Sequence, residues 1–370
     1  MGCAKMNRKL LATLLLGALI LTNGVTTTYA AGLQLPGDGK LGKLGDEVTD
    51  VDGGKAKTVK QELKKEKDVS VKIATKTEVK NDAASSTKIK HEGKLYVDGK
   101  IDDMWTAEVG LNIETKTDNG KQSETEKWEM ENVWLEYQKS PEFSFKFGRQ
   151  TYHVAKGLYM DQDGVFGGKA IYKLDKNNTA EVFLGRDDQD RDGTGIKLKN
   201  GKVTATPASN TTLVEVLNFA HKIKHGSIGA YIAKQDRQDQ YGGGTDRFLG
   251  LYGNYRVLPN TDFNFEYLKN NETDTNGYVA ELKFGKLKKV GDYTFAVDYM
   301  DVGKELMNTN SYTDYDSQIS DPALGFKGPG ITVVNKFSKH SQLQLQRWWG
   351  RDKADQTSIP VTKLILYVKF

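Results

Sequence analysis

The chain has 370 residues, of which 28% are charged, with one cysteine and a formal net charge of +4. Lys5, Arg8 and Lys9 lie in residues 1–30 with no acid beside them, so the rest of the chain carries only +1 (4 − 3). That balance leaves no global field for nucleic acid or for an anionic surface, and a single cysteine excludes a disulfide framework.

The first element is MNRKLLATLLLGALILTNGVTTTYA. A basic start, an apolar run from Leu10 to Leu21 and the small-residue exit Thr28-Tyr29-Ala30 describe a secretory signal peptide over residues 1–30. The run is too short to span a bilayer comfortably, which disfavours the alternative of a membrane anchor. Cys3 precedes the run and leaves with it. Residues 31–67 differ in character. LQLPGDGKLGKLGD reads as a Gly-rich linker, and AKTVKQELKKEKD offers a helical turn or two with no apolar face to pack. The segment is read as a flexible extension, with a small partner-binding helix as the alternative.

From Val69 onward the pattern has period two. VSVKIATKTEV sets Val69, Val71, Ile73, Thr75, Thr77 and Val79 against Ser70, Lys72, Ala74, Lys76 and Glu78. MWTAEVGLNIETK, PEFSFKFGR, TDFNFEYLK, GYVAELKFGK, DYTFAVDYM and SQLQLQRWWG repeat the alternation. Tyr293, Phe295, Val297 and Tyr299 face away from Thr294 and Asp298. Leu343, Leu345 and Trp349 face away from Gln344, Gln346 and Trp348. No stretch reaches the length of an apolar helical span. A mean hydropathy of −0.59 is the average that alternation produces, not a sign of solubility.

A soluble sandwich turns such apolar faces inward, whereas a membrane barrel turns them to lipid and lines a wet lumen with the polar ones. Strand lengths close to the ~9–11 residues of a tilted membrane strand favour the barrel. So do aromatics near the ends of the apolar runs. So does the alternation of short connections, such as QKSPE, VLPNT and FSKHS, with longer ones. The reading is an all-β transmembrane antiparallel barrel over residues 68–370. It has sixteen strands within a range of ~14–18, short periplasmic turns and long external loops. An even number brings both chain ends to one side. KLILYVKF then closes the barrel, with Leu364, Leu366, Val368 and Phe370 toward lipid.

An alternating last strand that ends in Phe370 resembles the terminal strand of outer-membrane barrels, which the barrel-assembly machinery recognises. FKFGRQTYHVAKGLYMDQDGVFGG resembles the strand–GRQ–loop region of bacterial porins. The Lys-rich chain behind a Gly/Lys-rich leader is similar to porins of diderm Firmicutes. The resemblance covers roughly residues 69–370. Relatives there often carry an S-layer-homology domain before the barrel, and 31–67 is too short for one. The resemblance implies a bacterial outer-membrane homotrimer in contact with lipid, passing small hydrophilic solutes and ions.

On the sixteen-strand count, residues 151–164 form the third external loop, which in porins folds into the pore. Arg149 before it, with Tyr152, His153, Lys156, Tyr159, Asp161 and Asp163 in it, are the candidate constriction residues. Lys72, Lys76, Glu114, Lys146, Lys283 and Arg347 are expected to line the pore. Both signs occur, so weak ion selectivity is expected. Asp188, Asp190 and Asp192, before Gly193, have the opening spacing of a calcium loop. Lys199 stands where an EF-hand needs its bidentate Glu, so an external loop clamped by calcium competes with a plain acidic turn. No other cofactor is expected. Five histidines without a GxSxG, HExxH or P-loop pattern argue against an enzyme. The alternatives are a substrate-specific channel using Tyr152 and Tyr159, and a structural or adhesion barrel plugged by its long loops.

Overall fold

A computed structural model describes residues 69–81, 87–118, 121–122, 127–188, 196–199, 202–205, 211–236, 244–304, 306, 325–353 and 355–370. Val71–Phe370 form one compact unit. The expectations for residues 1–30 and 31–67, and for Asp190 and Asp192, fall outside the described residues.

The elements run β1 (Val69–Asn81), β2 (Thr87–Lys100), β3 (Trp105–Asp118), β4 (Lys121–Gln122), β5 (Lys127–Ser140), β6 (Phe143–His153) and β7 (Asp161–Lys173). Next come β8 (Asn178–Asp188), β9 (Ile196–Lys199), β10 (Lys202–Ala205), β11 (Thr211–Ile223), β12 (Gly226–Asp236) and β13 (Thr245–Leu258). The chain closes with β14 (Thr261–Asn270), β15 (Thr275–Gly285), β16 (Tyr293–Val302), β17 (Phe326–Asn335), β18 (Ser341–Asp352) and β19 (Ser358–Lys369). The short β4, β9 and β10 sit in connections. The other strands make a closed 16-strand antiparallel barrel, each pairing with the next along the chain. Closure is direct: β1 pairs with β19 from Ala74↔Lys369 to Asn81↔Thr362. A closed sheet has no edge and satisfies every ladder hydrogen bond internally, as lipid requires.

The period of two decides which face is which. On β16, Tyr293, Phe295, Val297 and Tyr299 are exposed, while Thr294, Ala296, Asp298 and Met300 are buried. On β19, Leu364 is exposed outward, and Val361, Lys363 and Ile365 are buried inward. The outer wall is thus apolar and the inner wall mixed, the inverse of a soluble sandwich. Aromatic pairs band the outside near both rims. Trp105 and Tyr137 lie 4.8 Å apart, Phe284 and Phe295 6.1 Å, and Tyr278 and Tyr299 6.2 Å.

At the rim that carries Phe370, the connections 101–104, 141–142, 174–177, 224–225, 259–260, 286–292 and 336–340 are short. Several are pinned by a carboxylate that accepts backbone N–H groups of its own turn. Asp102 takes those of Met104 and Trp105, Asp175 those of Asn177 and Asn178, and Asp292 those of Lys288 and Lys289. The opposite rim has longer connections, including 189–210 and 303–325. That asymmetry is the one expected of periplasmic turns and external loops.

Candidate functional site in the barrel lumen

The inner wall has two unlike halves. From β19 through β1, β2 and β3, inward side chains alternate in sign and form a relay of ion pairs. Lys363 lies 3.8 Å from Glu78, which lies 3.2 Å from Lys76. Lys76 also reaches Glu92 at 3.4 Å. Lys90 joins Glu92 at 2.9 Å to Glu114 at 2.8 Å, and Lys116 ends the row on Glu114 at 2.9 Å. Lys72 pairs with Asp98 at 2.7 Å on the same wall. Neighbouring inward positions on paired strands stand side by side, so opposite charges two residues apart along one strand can link to the next.

A second cluster lies beside it. On β5 the register slips where β3 passes from Gly110 to Leu111, and Glu131 is the extra residue of that bulge. It accepts from Lys94 Nζ and, at 2.5 Å, from the Tyr96 hydroxyl. Lys94 also lies 3.3 Å from Asp163, which accepts from the Thr151 hydroxyl at 2.7 Å. Arg149 reaches Glu129 at 3.2 Å. It follows Gly148, whose φ is 128° and where an added Cβ would fall 2.2 Å from the Val133 carbonyl oxygen, so no side chain fits. Lys146 pairs with Glu136 at 3.3 Å and lies over the Trp134 ring.

The far wall, on the inward faces of β8 and β11 to β18, mixes polar residues such as Asn264, Glu281 and Asp298 with a buried apolar cluster. Phe183, Val214, Val216, Tyr231, Ala233, Phe248, Leu268, Val279, Met300 and Trp348 belong to one buried cluster. Residues 154–160, between β6 and β7, belong to it as well. Val154, Leu158, Tyr159 and Met160 are all buried. This connection turns tightly through Ala155 (φ 54°) and Gly157 (φ 88°). It is closed by Gly157 N–H donating to Val154 O at 2.9 Å and Val154 N–H to Met160 O at 3.0 Å.

Its attachment is specific. The N–H groups of Lys156 and Leu158 each donate to Glu266 Oε2 at 2.9 Å, and the Tyr231 hydroxyl donates to Oε1 at 2.5 Å. Glu266, on β14, is fully buried. Lys156 Nζ pairs with Glu281 on β15 at 3.0 Å. The Tyr159 ring packs on Tyr231 and Phe248, with centroids 5.9 and 5.0 Å away. A connection leaving β6 is thus fastened to strands on another side of the barrel.

These placements refine the sequence reading. The connection is 154–160 rather than 151–164: Arg149, Tyr152 and His153 lie on β6, and Asp161 and Asp163 on β7. Tyr152 stacks on Phe183 at 3.8 Å and donates to Glu181 at 3.1 Å. His153 stands between Asp161, 3.0 Å from Nδ1, and the Ala155 carbonyl, 2.5 Å from Nε2. Lys283 has inward parity, opposite Ala296 of β16. Arg347 requires a correction. It shares a face with Leu345 and Trp349, donates to Thr362 and lies 5.7 Å over the Trp349 ring, so it is on the outer wall and not in the lumen. The inward residue there is Trp348, which donates to Asp298 at 3.1 Å across the space left by Gly330. Asp188 pairs with Thr211 at the end of β8. Among the described residues no group of His, Cys, Asp or Glu has the grouping of a metal site.

Glu92, Lys94, Glu131, Glu266, Glu281 and Lys363 carry much of this lumen and were not among the expected site residues. Lys90, Glu92 and Lys94 alternate in KHEGK, so their common face was readable. Glu131 was not, because a bulge leaves no mark on the period.

No family model and no curated protein matches the chain. Solved structures do. OprB of Pseudomonas putida, in a low-pH structure, aligns with a TM-score of 0.52 at 6% identity, covering 84% of this chain and 95% of that one. Salmonella typhi OmpF, in complex with daunomycin, aligns at 0.52 and 10% identity, covering 82% and 97%. OccK5 (OpdH) of Pseudomonas aeruginosa aligns at 0.50 and 10%, covering 82% and 98%. At such identities the likeness speaks to the fold alone, and the fold of this chain is a porin-like β-barrel.

Proposed function

We propose that this protein is an outer-membrane porin through which small hydrophilic solutes and ions diffuse passively, in a water-filled barrel narrowed by residues 154–160. The carrying observation is the fastening of that connection to Glu266 and Glu281. That connection packs on the buried apolar cluster, and the ion-paired wall, Lys363 to Lys116 and Lys94 to Glu131, is taken to border the water path. On this reading a solute moves along a wall of paired charges whose signs nearly cancel. Ion preference is therefore weak and is set by whichever charges stand at the narrowest level. The reading assigns no catalysis. The secretory leader over 1–30, which rests on its basic start, apolar run and small-residue exit, is part of it, as are the homotrimer and insertion by the barrel-assembly machinery, which rest on the sequence resemblance. Calcium at Asp188, Asp190 and Asp192 is retained as a proposal, tested by whether chelation alters the channel's loop-dependent noise.

The apolar cluster supports a second reading, a barrel closed by 154–160. Swelling of proteoliposomes in sugars of graded size separates the two. Rates that fall steadily with solute size support diffusion. No swelling with any sugar, from protein inserted in full, supports the closed barrel. A rate that stands out for one sugar against its isomers supports a substrate-specific channel.

A further inference from the structure

Three cations on the outer wall make no ion pair among the described residues. Lys327 on β17 stands directly opposite Arg351 on β18. Arg347 lies on the same outward face of β18, with Trp349 between the two arginines and 44% exposed. Among the described residues none of the three is in an ion pair. Arg347 donates only to the neutral Thr362 hydroxyl and lies over the Trp349 ring. The carboxylate nearest in register is Asp301, opposite Lys327 on β16, and it is taken by Lys353 at 2.6 Å. Other cations at this rim are matched: Arg247 with Glu272 at 2.9 Å and Lys269 with Asp274 at 2.8 Å.

The position is as telling as the charge. β18 rises from Ser341, opposite Val368 near the chain end, to Asp352 at the rim of long connections. Leu343 and Leu345 below Arg347 are exposed to the apolar belt. Tyr299 and Tyr278 mark the same upper girdle on β16 and β15. An indole at this level sits at the boundary between acyl chains and headgroups. Long cationic side chains one step below and one step above it extend their charge to the headgroup layer. Arginine forks match phosphate oxygens with two parallel hydrogen bonds.

We propose that Lys327, Arg347 and Arg351, with Trp349 as the apolar floor, hold the phosphorylated headgroup of one outer-leaflet lipid. The inference rests on the reading that the barrel spans the outer membrane with its long connections outward. Its chemistry is a phosphomonoester held by two arginines and a lysine, with the lipid's chains lying over Leu343 and Leu345.

The test uses the full-length protein in phosphatidylcholine nanodiscs containing a minority of diphosphorylated lipid A, and native mass spectrometry to count retained lipid. The expected result is one retained diphosphorylated lipid per protomer on the wild type. The triple variant Lys327→Gln, Arg347→Gln, Arg351→Gln should retain it on the order of a hundredfold more weakly, at about a factor of five per cation. Single-channel current of that variant is expected to be unchanged, since none of the three faces the lumen. Equal retention by variant and wild type overturns the proposal, as does equal retention of dephosphorylated lipid A. Displacement of the lipid by millimolar inorganic phosphate would make this a site for the free ion and overturn the lipid assignment. A changed subunit number with unchanged lipid retention would make it an interface between copies, and overturn it too. Absent current with lipid retention intact counts against the channel reading alone.

Discussion

Glu266→Ala removes, in one substitution, the acceptor of the Lys156 and Leu158 N–H groups and of the Tyr231 hydroxyl. Each donor left buried without a partner costs about 1–3 kcal/mol. The three share one carboxylate, so their costs do not add, and a conservative total is about 3 kcal/mol. At about 1.4 kcal/mol per tenfold, the ratio of released to fastened 154–160 rises on the order of a hundredfold. The connection is held in addition by Lys156 on Glu281 and by Tyr159 on Tyr231 and Phe248, so the barrel itself should persist. The assay is single-channel recording. The wild type should give steady open levels, and Glu266→Ala excursions between the wild-type level and a larger one. Glu266→Gln keeps one carbonyl oxygen and should fall between them. Lys156→Met, which keeps the backbone bonds but leaves Glu281 without its cation, should give smaller excursions than Glu266→Ala. Identical current noise and identical thermal melting in Glu266→Ala and wild type would refute the fastening role.

Other consequences are as direct. Lys94→Met leaves Glu131 and Asp163 facing each other without their shared cation, and should cost about 3 kcal/mol or more of stability, read as a lower denaturant midpoint of the folded barrel. Removing that cation should also shift the reversal potential in a salt gradient toward cations. Val297→Arg places a charge on the lipid face beside Phe295 and Tyr299 and should cost about 2–4 kcal/mol in folding into bilayers. Asp292, in the turn 286–292, is held below the usual carboxylate range by the N–H groups of Lys289 and Lys288. A depressed folded-state pKa contributes stability above the unfolded value and loses it as pH falls through the folded one. Amide protection at Lys288 and Lys289, taken relative to the intrinsic exchange rate at each pH, should therefore fall on acidification below the ordinary aspartate pKa, and Asp292→Asn should blunt that change.

The wall of the barrel was legible because period two is written residue by residue: DYTFAVDYM states which side chains meet lipid before any strand is paired. The last strand was legible for the same reason, and its partner β1 followed from closure. The lumen was less so. Arg347 was expected to line the pore, yet its parity with Leu345 and Trp349 already placed it outside, where nearness to the rim makes its charge tolerable. Glu131 owes its inward position to a bulge, and Gly148 and Gly157 fix the course of β6 and its exit through positive φ. Glu266 was readable as one polar residue of TDFNFEYLK. Its meeting with Lys156 and Leu158, 110 and 108 residues away, depends on the curvature of the closed barrel. Local pattern specifies faces, whereas contacts across a lumen are set by strand number and closure.

The central claim is that a continuous water path crosses this barrel beside residues 154–160. Planar-bilayer recording of the purified protein under a salt gradient tests it most directly. The account predicts stepwise openings with a small reversal potential, because Lys363, Lys76, Lys90 and Lys94 are nearly matched by Glu78, Glu92, Glu114 and Glu131. Electrical silence from protein verified as folded and inserted would contradict it, and would leave 154–160 and the apolar cluster as a plug.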